Sequence, residues 1–338
     1  MIVVWRVVDS CNLACPFCAF DRRLEFPRHA ADVVDVIGFA RALAAYQAQT
    51  GEGVLLSWLG GEPLVWKPLE SLTNAVRALG LKISATTNGT SLGSARLREH
   101  ICAAYEELTI SIDGFSGFHD PMRDWKNGFE KLQLWIPLLA ARARAVGSPL
   151  KLRVNVVLMR QNVEHFAALC AEVATWGVRE ITFNQLGGRD RPEFYPSHRL
   201  RSADVDRIET ELPIIRRTIA RHGVTLVGGT AYLSRIRASA LDQRNPVYDC
   251  GPGERFLFID ERGRVTPCSF TTPDYAVDVR SLRSGDDIAA LPTRFRAMRC
   301  ARRSTQCDDC LSTQVCDKFR SPPDAATTQV VHREPAVA

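Results

Sequence analysis

The sequence Asp9-Ser10-Cys11-Asn12-Leu13-Ala14-Cys15-Pro16-Phe17-Cys18-Ala19 decides how the rest of the chain is interpreted. Its three cysteines have C-x3-C-x2-C spacing and follow an apolar, strand-like run over residues 2–8. Three thiolates on one short loop can hold three irons of a 4Fe–4S cube and leave the fourth iron without a protein ligand. An open metal position can bind a small molecule. The spacing therefore predicts a 4Fe–4S site rather than a zinc knuckle, because the nearest histidine, His29, lies ten or more residues away.

The composition is that of an ordinary globular protein. The chain has 338 residues, of which 46% are hydrophobic and 24% charged, with a net charge of +5. This small and dispersed basic excess does not indicate a nucleic-acid partner. The sequence has no apolar stretch long enough to span a membrane and no signal-peptide pattern, so we predict a cytoplasmic protein without a membrane partner. In that reducing compartment, eleven cysteines indicate metal binding rather than disulfides.

Strand-like and helix-like segments alternate over the first 230 residues. Strands are predicted at residues 2–8, 54–58, 82–87, 107–112, 152–157 and 180–184. Helices are predicted at residues 31–49, 69–79, 94–104, 129–146, 163–176 and 204–222. Strand–helix pairs with parallel connections predict an α/β fold with an open or barrel-like sheet.

Distinctive motifs follow the predicted strands. Gly60-Gly61-Glu62-Pro63 follows the second strand, Thr87-Asn88-Gly89-Thr90 the third, and Ser111-Ile112-Asp113-Gly114 the fourth. Function in such folds gathers at the carboxyl ends of the strands, so these motifs and the cysteine loop predict one shared active site. The polar segments 187–202 and 234–249 are predicted as irregular loops that face a substrate or connect elements.

A second group of six cysteines lies between residues 250 and 316, namely Cys250, Cys268, Cys300, Cys307, Cys310 and Cys316. Residues 256–265 are typical of a β-hairpin with a turn at Gly263, which brings Cys268 back toward Cys250. Spacing alone leaves two alternatives open, a zinc site or one or two further iron–sulfur clusters. Cys102 and Cys170 lie in predicted helices, where we expect buried, unligated thiols.

Together these motifs resemble the radical S-adenosylmethionine (SAM) superfamily, in the subgroup with a C-terminal SPASM or twitch auxiliary-cluster domain. The resemblance implies that the first cysteine loop holds the SAM-binding cluster and that Gly60–Pro63 meet the methionine amino group. It also implies that Ser111 meets the ribose, that Arg123 meets the cofactor carboxylate, and that Asn155 contacts the ribose or adenosine. The predicted cofactor-binding residues are Gly60, Gly61, Glu62, Pro63, Asn88, Ser111, Asp113, Arg123 and Asn155.

The resemblance also implies a domain organisation. We expect a partial (β/α)6 TIM-type barrel over residues 1–230 and a small cysteine-rich domain with the hairpin over residues 231–320. The composition of residues 321–338 predicts a disordered tail. The full SPASM pattern has seven or more ligand cysteines, whereas Arg320 stands four residues after Cys316 and Cys300 has no counterpart. The smaller twitch arrangement with one auxiliary cluster therefore fits better, which leaves Cys300 and Cys316 as candidates for a second, incomplete cluster.

The resemblance implies reductive cleavage of SAM to a 5′-deoxyadenosyl radical, which abstracts a substrate hydrogen. An auxiliary cluster then completes a net oxidation, a cross-link or an epimerisation. Our first hypothesis for the substrate is a ribosomally made peptide, and the alternative is a small natural-product precursor such as a sugar or aminocyclitol alcohol. A non-catalytic zinc-binding module is the alternative from another class. Expected partners are an electron donor such as flavodoxin or ferredoxin and a separate leader-peptide-binding protein. No catalytic base is predicted, because Ser269 stands where some sulfatase-maturing relatives have an aspartate.

Overall fold

The fold is built on one ten-stranded sheet with the strand order β10-β9-β8-β1-β2-β3-β4-β5-β6-β7. The computed structural model describes residues 1–316, so the predicted tail at residues 321–338 lies outside the described residues. The strands are β1 Ile2–Val8, β2 Leu55–Gly60, β3 Lys82–Thr87, β4 Glu107–Ser111, β5 Lys151–Leu158, β6 Glu180–Gln185, β7 Thr225–Val227, β8 Phe256–Ile259, β9 Arg264–Thr266 and β10 Val277–Asp278.

Most helices connect consecutive parallel strands. They are α1 Val33–Thr50, α2 Leu69–Ala78, α3 Ala95–Ala104, α4 Ser116–Arg123, α5 Gly128–Ala145, α6 Phe166–Ala174, α7 Tyr195–His198, α8 Ser202–Ala220, α9 Thr230–Ala240, α10 Thr272–Tyr275 and α11 Gly285–Ala301. Among the described residues, none of these helices has the length and apolar character needed to cross a membrane.

Alternation of side chains along the strands separates the two faces of the sheet. In β1, Val3, Trp5 and Val7 are fully buried, whereas the residues between them are partly exposed. Trp5 packs edge-on against Phe39 of α1, with 5.7 Å between ring centroids. One face of the sheet therefore forms the hydrophobic core beneath the helices, and the other face stays open to partly exposed side chains.

The predicted α/β fold and partial barrel are confirmed. β1 to β7 are parallel and follow chain order, and the sheet does not close because β7 and β10 are its edges. The six predicted strands are present with ends shifted by two residues or fewer. The short strand β7 was not predicted, because three residues are too few to show a pattern.

The hairpin of β8 and β9 is confirmed as an antiparallel pair. Its first strand also pairs in parallel with β1, so the hairpin extends the barrel sheet at the edge that carries the first cysteine loop. The prediction of an irregular segment over residues 234–249 was wrong for its first part, because α9 continues to Ala240. Tyr232, Leu233 and Ile236 form a buried stripe that stabilises this helix.

Candidate active site

The first cysteine loop is fixed by backbone contacts with the loop after β2. Gly61 N–H donates to the Val8 carbonyl at 2.8 Å, and Glu62 N–H donates to the Ser10 carbonyl at 3.0 Å. A Cβ atom on Gly61 would lie 2.2 Å from the Ser10 carbonyl oxygen, and one on Gly60 would lie 2.3 Å from the Val8 carbonyl oxygen. The two loops can approach this closely only because both positions are glycine.

Two of the three thiols of this loop, Cys11 and Cys18, accept hydrogen bonds that suit cluster ligands. Leu13 N–H donates to Cys11 Sγ and Phe20 N–H donates to Cys18 Sγ, each at 3.4 Å. Burial raises the pKa of Cys15 to about 12 and that of Cys18 to about 11. A buried thiolate needs a compensating cation, which iron supplies. The donor set therefore fits the predicted iron–sulfur cluster.

Glu62 joins the loops that follow β2 and β3. Its carboxylate is fully buried, and Oε1 accepts from Leu64 N–H at 3.0 Å and from the Thr87 hydroxyl at 2.8 Å. Oε2 accepts from Asn88 N–H at 2.6 Å. Burial raises the pKa of Glu62 to about 7, although these hydrogen bonds and Arg123 act in the opposite direction. A carboxylate oxygen has two lone pairs, so Oε2 keeps acceptor capacity for one more donor.

Asn88 ties the loop after β3 to the cysteine loop. Its Nδ2 donates to Asn12 Oδ1 at 2.9 Å and lies 3.8 Å from Cys11 Sγ. Its Oδ1 accepts from Thr90 N–H at 2.9 Å, and Asn12 Nδ2 donates to the Thr90 hydroxyl at 2.8 Å. This network places an amide donor beside the first of the three thiols.

Arg123 lies behind the cysteine loop in a buried ion pair with Asp113. The Asp113 Oδ2 atom is 2.7 Å from Arg123 Nη2. The guanidinium is near enough to lower the pKa of both Cys15 and Cys18, and it lies over the Phe17 ring at 5.5 Å from the centroid. The positive charge of Arg123 therefore faces the thiols that would carry the negative charge of a cluster.

Ser111 and Asn155 are neighbours on adjacent strands and are both half-buried. They are register partners in the parallel pair of β4 and β5. Asn155 Oδ1 accepts from Asn184 Nδ2 at 2.7 Å, which links β5 to β6. Ser111 is the last residue of β4, and Asn155 lies in the middle of β5. Both are on the open face of the sheet.

Four of the six later cysteines line one cavity, together with Arg299 and Phe270. These four cysteines are Cys250, Cys268, Cys307 and Cys310. Their loops are paired by backbone hydrogen bonds from Val247 N–H to the Cys307 carbonyl at 2.9 Å and from Cys310 N–H to the Asn245 carbonyl at 3.0 Å.

The remaining cysteines are placed differently. Cys300 is exposed near the end of α11 and does not line this cavity. Cys316 ends the last described turn, and its side chain lies outside what the structure describes. Cys102 and Cys170 are buried in α3 and α6, as predicted. Within residues 1–316, no three His, Cys, Asp or Glu side chains converge closely enough to hold a single metal ion.

The loop between β6 and α8 contacts both cysteine sites. Arg191 Nη1 lies 3.3 Å from Oδ2 of the buried Asp21, which follows the first cysteine loop. Arg189 Nη2 donates to the Asp309 carbonyl at 2.5 Å, between Cys307 and Cys310. Arg189 also lies over the Phe270 ring, 4.3 Å from its centroid. One connection of the barrel thus joins the surroundings of the two sites.

The sequence predicted no individual role for several residues of the site. Asn12, Thr87 and Asn162 each make hydrogen bonds that hold the loops, yet each reads as an ordinary loop or cap residue. His119 lies in α4, the helix that follows β4, and its hydrogen bond to Asp113 N–H was not predicted. Thr87 is the last residue of β3, and Asn12 and Asn162 each stand four residues after the end of a strand. A polar residue in a loop at the carboxyl end of a strand is the signal that points to them.

Comparison with known proteins identifies the family. The pattern of the Radical SAM superfamily matches residues 5–173. PqqA peptide cyclase of Xanthomonas euvesicatoria pv. vesicatoria is 30% identical over 273 residues, which cover 79% of this chain and 67% of the relative. AdoMet-dependent heme synthase of Oleidesulfovibrio alaskensis is 23% identical over 337 residues, which cover 95% of this chain and 82% of the relative.

A solved structure has the same fold. Streptococcus suis SuiB bound to S-adenosylmethionine superimposes with a TM-score of 0.63 at 17% identity, covering 92% of this chain and 72% of SuiB. Family membership implies a 4Fe–4S cluster and SAM, which agrees with the donor set of the first cysteine loop. The chain is therefore an enzyme that belongs to the radical SAM superfamily.

Proposed function

We propose that this enzyme modifies a peptide by abstracting a hydrogen atom and completing a net oxidation, a cross-link or an epimerisation. One observation carries the proposal, namely that the loop between β6 and α8 contacts the surroundings of both cysteine sites through Arg191 and Arg189. A substrate held beside this loop lies near both sites. The name of the relative PqqA peptide cyclase supports a peptide as that substrate.

When bound, the first cluster and SAM supply a 5′-deoxyadenosyl radical. Cys11, Cys15 and Cys18 hold three irons, and Asn88 and the backbone amides of the loop donate to the thiolates. The free acceptor capacity of Glu62 Oε2 suits the ammonium of the cofactor, with the backbone of Gly60, Gly61 and Pro63 beside it. Arg123 suits the carboxylate, because a guanidinium forms strong charge-assisted hydrogen bonds. Ser111 and Asn155 are proposed contacts of the ribose or adenosine.

We further propose that Cys250, Cys268, Cys307 and Cys310 hold one auxiliary iron–sulfur cluster, within a domain spanning about residues 231–320. Four cysteines around one cavity supply the usual ligand number for such a cluster. In a net oxidation or a cross-link, a cluster held there would take one electron from the substrate radical as the substrate releases a proton. Cys300 and Cys316 remain candidates for a second, incomplete cluster. We also propose two partners, a reducing electron donor and a separate protein that binds the leader part of the peptide.

A small-molecule substrate is the second candidate. It is favoured by the relative named AdoMet-dependent heme synthase, whose alignment covers 95% of this chain. The same two-site arrangement would suit oxidation of an alcohol in a small natural-product precursor such as a sugar or an aminocyclitol.

Reaction with a candidate peptide tests the proposal. The anaerobically reconstituted enzyme is incubated with SAM, a chemical reductant and a short peptide encoded beside its gene. We expect 5′-deoxyadenosine and a peptide that has lost two hydrogens, or one that has taken up deuterium from D₂O if the reaction is an epimerisation. The Cys15→Ala variant is the control and should yield neither product. An unchanged peptide alongside an oxidised small-molecule alcohol from the same gene cluster would favour the second candidate.

A further inference from the structure

Asp113 is buried, and hydrogen bonds within the protein occupy both of its carboxylate oxygens. The side chain is fully buried, Oδ1 accepts from Val157 N–H at 2.9 Å, and Oδ2 accepts from Arg123 Nε at 2.8 Å. Oδ2 also contacts Arg123 Nη2 at 2.7 Å. Asp113 is therefore placed to orient Arg123 rather than to touch a cofactor, although the sequence suggested a direct contact.

The main chain of Asp113 is itself held by two buried side chains. Its N–H donates to His119 Nδ1 at 3.2 Å, and its carbonyl accepts from Asn162 Nδ2 at 2.7 Å. Asn162 is fixed in turn, because it also donates to the Val157 carbonyl at 2.8 Å and accepts from Met159 N–H at 2.8 Å. The peptide groups on both sides of Asp113 are thus clamped by side chains from α4 and from the turn after β5.

His119 acts through only one of its ring nitrogens. Because Nδ1 accepts a hydrogen bond, the ring proton lies on Nε2, which has no hydrogen-bond partner among the described residues. Burial and the nearby Arg123 lower the pKa of His119 to about 4, so the ring is neutral at physiological pH. What the fold needs at this position is one acceptor atom, and an asparagine Oδ1 can supply it.

We propose that His119 and Asn162 are positioning residues that lock the Asp113 main chain and thereby aim Arg123 at the cofactor. The inference rests on the proposed contact between Arg123 and the SAM carboxylate. Arg123 is only 7% exposed, so a small displacement of its buried partner moves the guanidinium relative to Cys15 and Cys18. Loss of the lock should weaken SAM binding and lower the cluster potential, while the cysteines keep their iron.

Equilibrium binding of SAM to the oxidised, reconstituted enzyme tests this inference without turnover. His119→Leu removes the acceptor and should weaken SAM binding by about tenfold, as is typical when a residue behind a metal or ligand site is removed. His119→Asn restores an acceptor and should bind SAM as the wild type does. Asn162→Ala should match His119→Leu. The exposed His165, changed to leucine, is the matched control.

Iron content, the thermal midpoint and the reduction potential of the first cluster are measured on every variant. A wild-type affinity in both His119→Leu and Asn162→Ala, with only a lowered thermal midpoint, would show a purely structural role and overturn the inference. If His119→Leu does not fold, Asn162→Ala and the rescue by His119→Asn decide the matter. Arg123→Gln tests the proposed contact between Arg123 and the SAM carboxylate separately from the positioning by His119 and Asn162. Normal SAM binding in that variant contradicts the contact itself.

Discussion

The two cysteine sites are built in different ways. The first lies on one loop of eight residues, Cys11 to Cys18, and backbone hydrogen bonds from the neighbouring strand-end loop hold it at 2.8 and 3.0 Å. The second collects cysteines from three separate segments around a cavity. Besides the two backbone hydrogen bonds between those segments, arginine side chains hold them. Arg235 donates to the Cys310 carbonyl, and Arg299 donates to the Val247 carbonyl at 2.6 Å.

This difference bears on what each site can do. Backbone contacts with the central sheet leave the first site little freedom, which suits a centre that must hold a reactive cofactor in one geometry. The second site lies on irregular loops, which two backbone hydrogen bonds and long arginine side chains hold together, and Cys250 at its edge is exposed. We therefore expect the two sites to be separable by mutation, with the chemistry of radical generation confined to the first.

The largest effect is expected from Cys15→Ala. The variant loses one of three ligands of the first cluster, so SAM cleavage should fall to the background rate. Cleavage is measured as 5′-deoxyadenosine formed with a chemical reductant. The matched control is Cys170→Ala, because Cys170 is also a buried cysteine but lies in α6 away from both sites. Substantial cleavage by Cys15→Ala would rule out the ligand assignment.

A methyl group at Gly61 should break the first site without replacing a ligand. A Cβ atom there lies 2.2 Å from the Ser10 carbonyl oxygen, so Gly61→Ala must displace the cysteine loop. We expect the variant to lose about half of its iron when both sites are loaded. It should also lose most of its SAM cleavage activity. Gly53→Ala is the control, because nothing lies within 4 Å of a Cβ atom at Gly53. Full iron content in Gly61→Ala would mean that the loop tolerates the displacement.

Cys310→Ala should affect the second site alone. We expect iron to fall to about four atoms per chain while SAM cleavage without substrate stays close to the wild-type rate. Product formation should be lost. Cys300→Ala is the control, because Cys300 is exposed and does not line the cavity. Equal iron loss in both variants would place Cys300 among the ligands and enlarge the second site.

The smallest effect is expected from Arg299→Met. Arg299 Nη1 lies 3.7 Å from Cys250 Sγ, so its charge stabilises the reduced, more negative form of a cluster there. Removing it should lower the potential of the second site by roughly 50 mV, the equivalent of about 1 kcal/mol for a one-electron couple, which is the interaction of two unit charges about 4 Å apart when water screens them. The first-site potential should not move. Redox titration followed by paramagnetic resonance measures both, with exposed Arg294→Met on the same helix as the control.

The contrast between the sites also explains what the sequence could reveal. Local patterns predicted β1, β2 and the motif that follows each of them, namely the first cysteine loop and Gly60–Pro63. The structure brings the two motifs together because the carboxyl ends of parallel strands share one edge. The hairpin over β8 and β9 was predicted from its turn at Gly263, but its pairing with β1 was not, because pairing of distant strands leaves no local signal.

Contacts between distant loops were likewise hidden. Glu62 accepts hydrogen bonds from Leu64, Thr87 and Asn88, and no local pattern predicted these three donors. Asp113 was predicted to contact the cofactor, but its carboxylate is buried and accepts hydrogen bonds from Arg123 and Val157 N–H. Periodicity reports which face of an element is buried, but it does not report which polar group satisfies which partner once elements pack.

Paramagnetic resonance of a variant that lacks the second site tests the central claim most directly. In this variant Cys250, Cys268, Cys307 and Cys310 are all changed to alanine, and the reduced protein is compared with and without SAM. We predict one cluster with about four irons, a spectrum that changes when SAM is added, and cleavage of SAM. A folded variant without iron, or a cluster whose spectrum ignores SAM, would contradict the claim that the loop from Cys11 to Cys18 alone builds the SAM-binding centre.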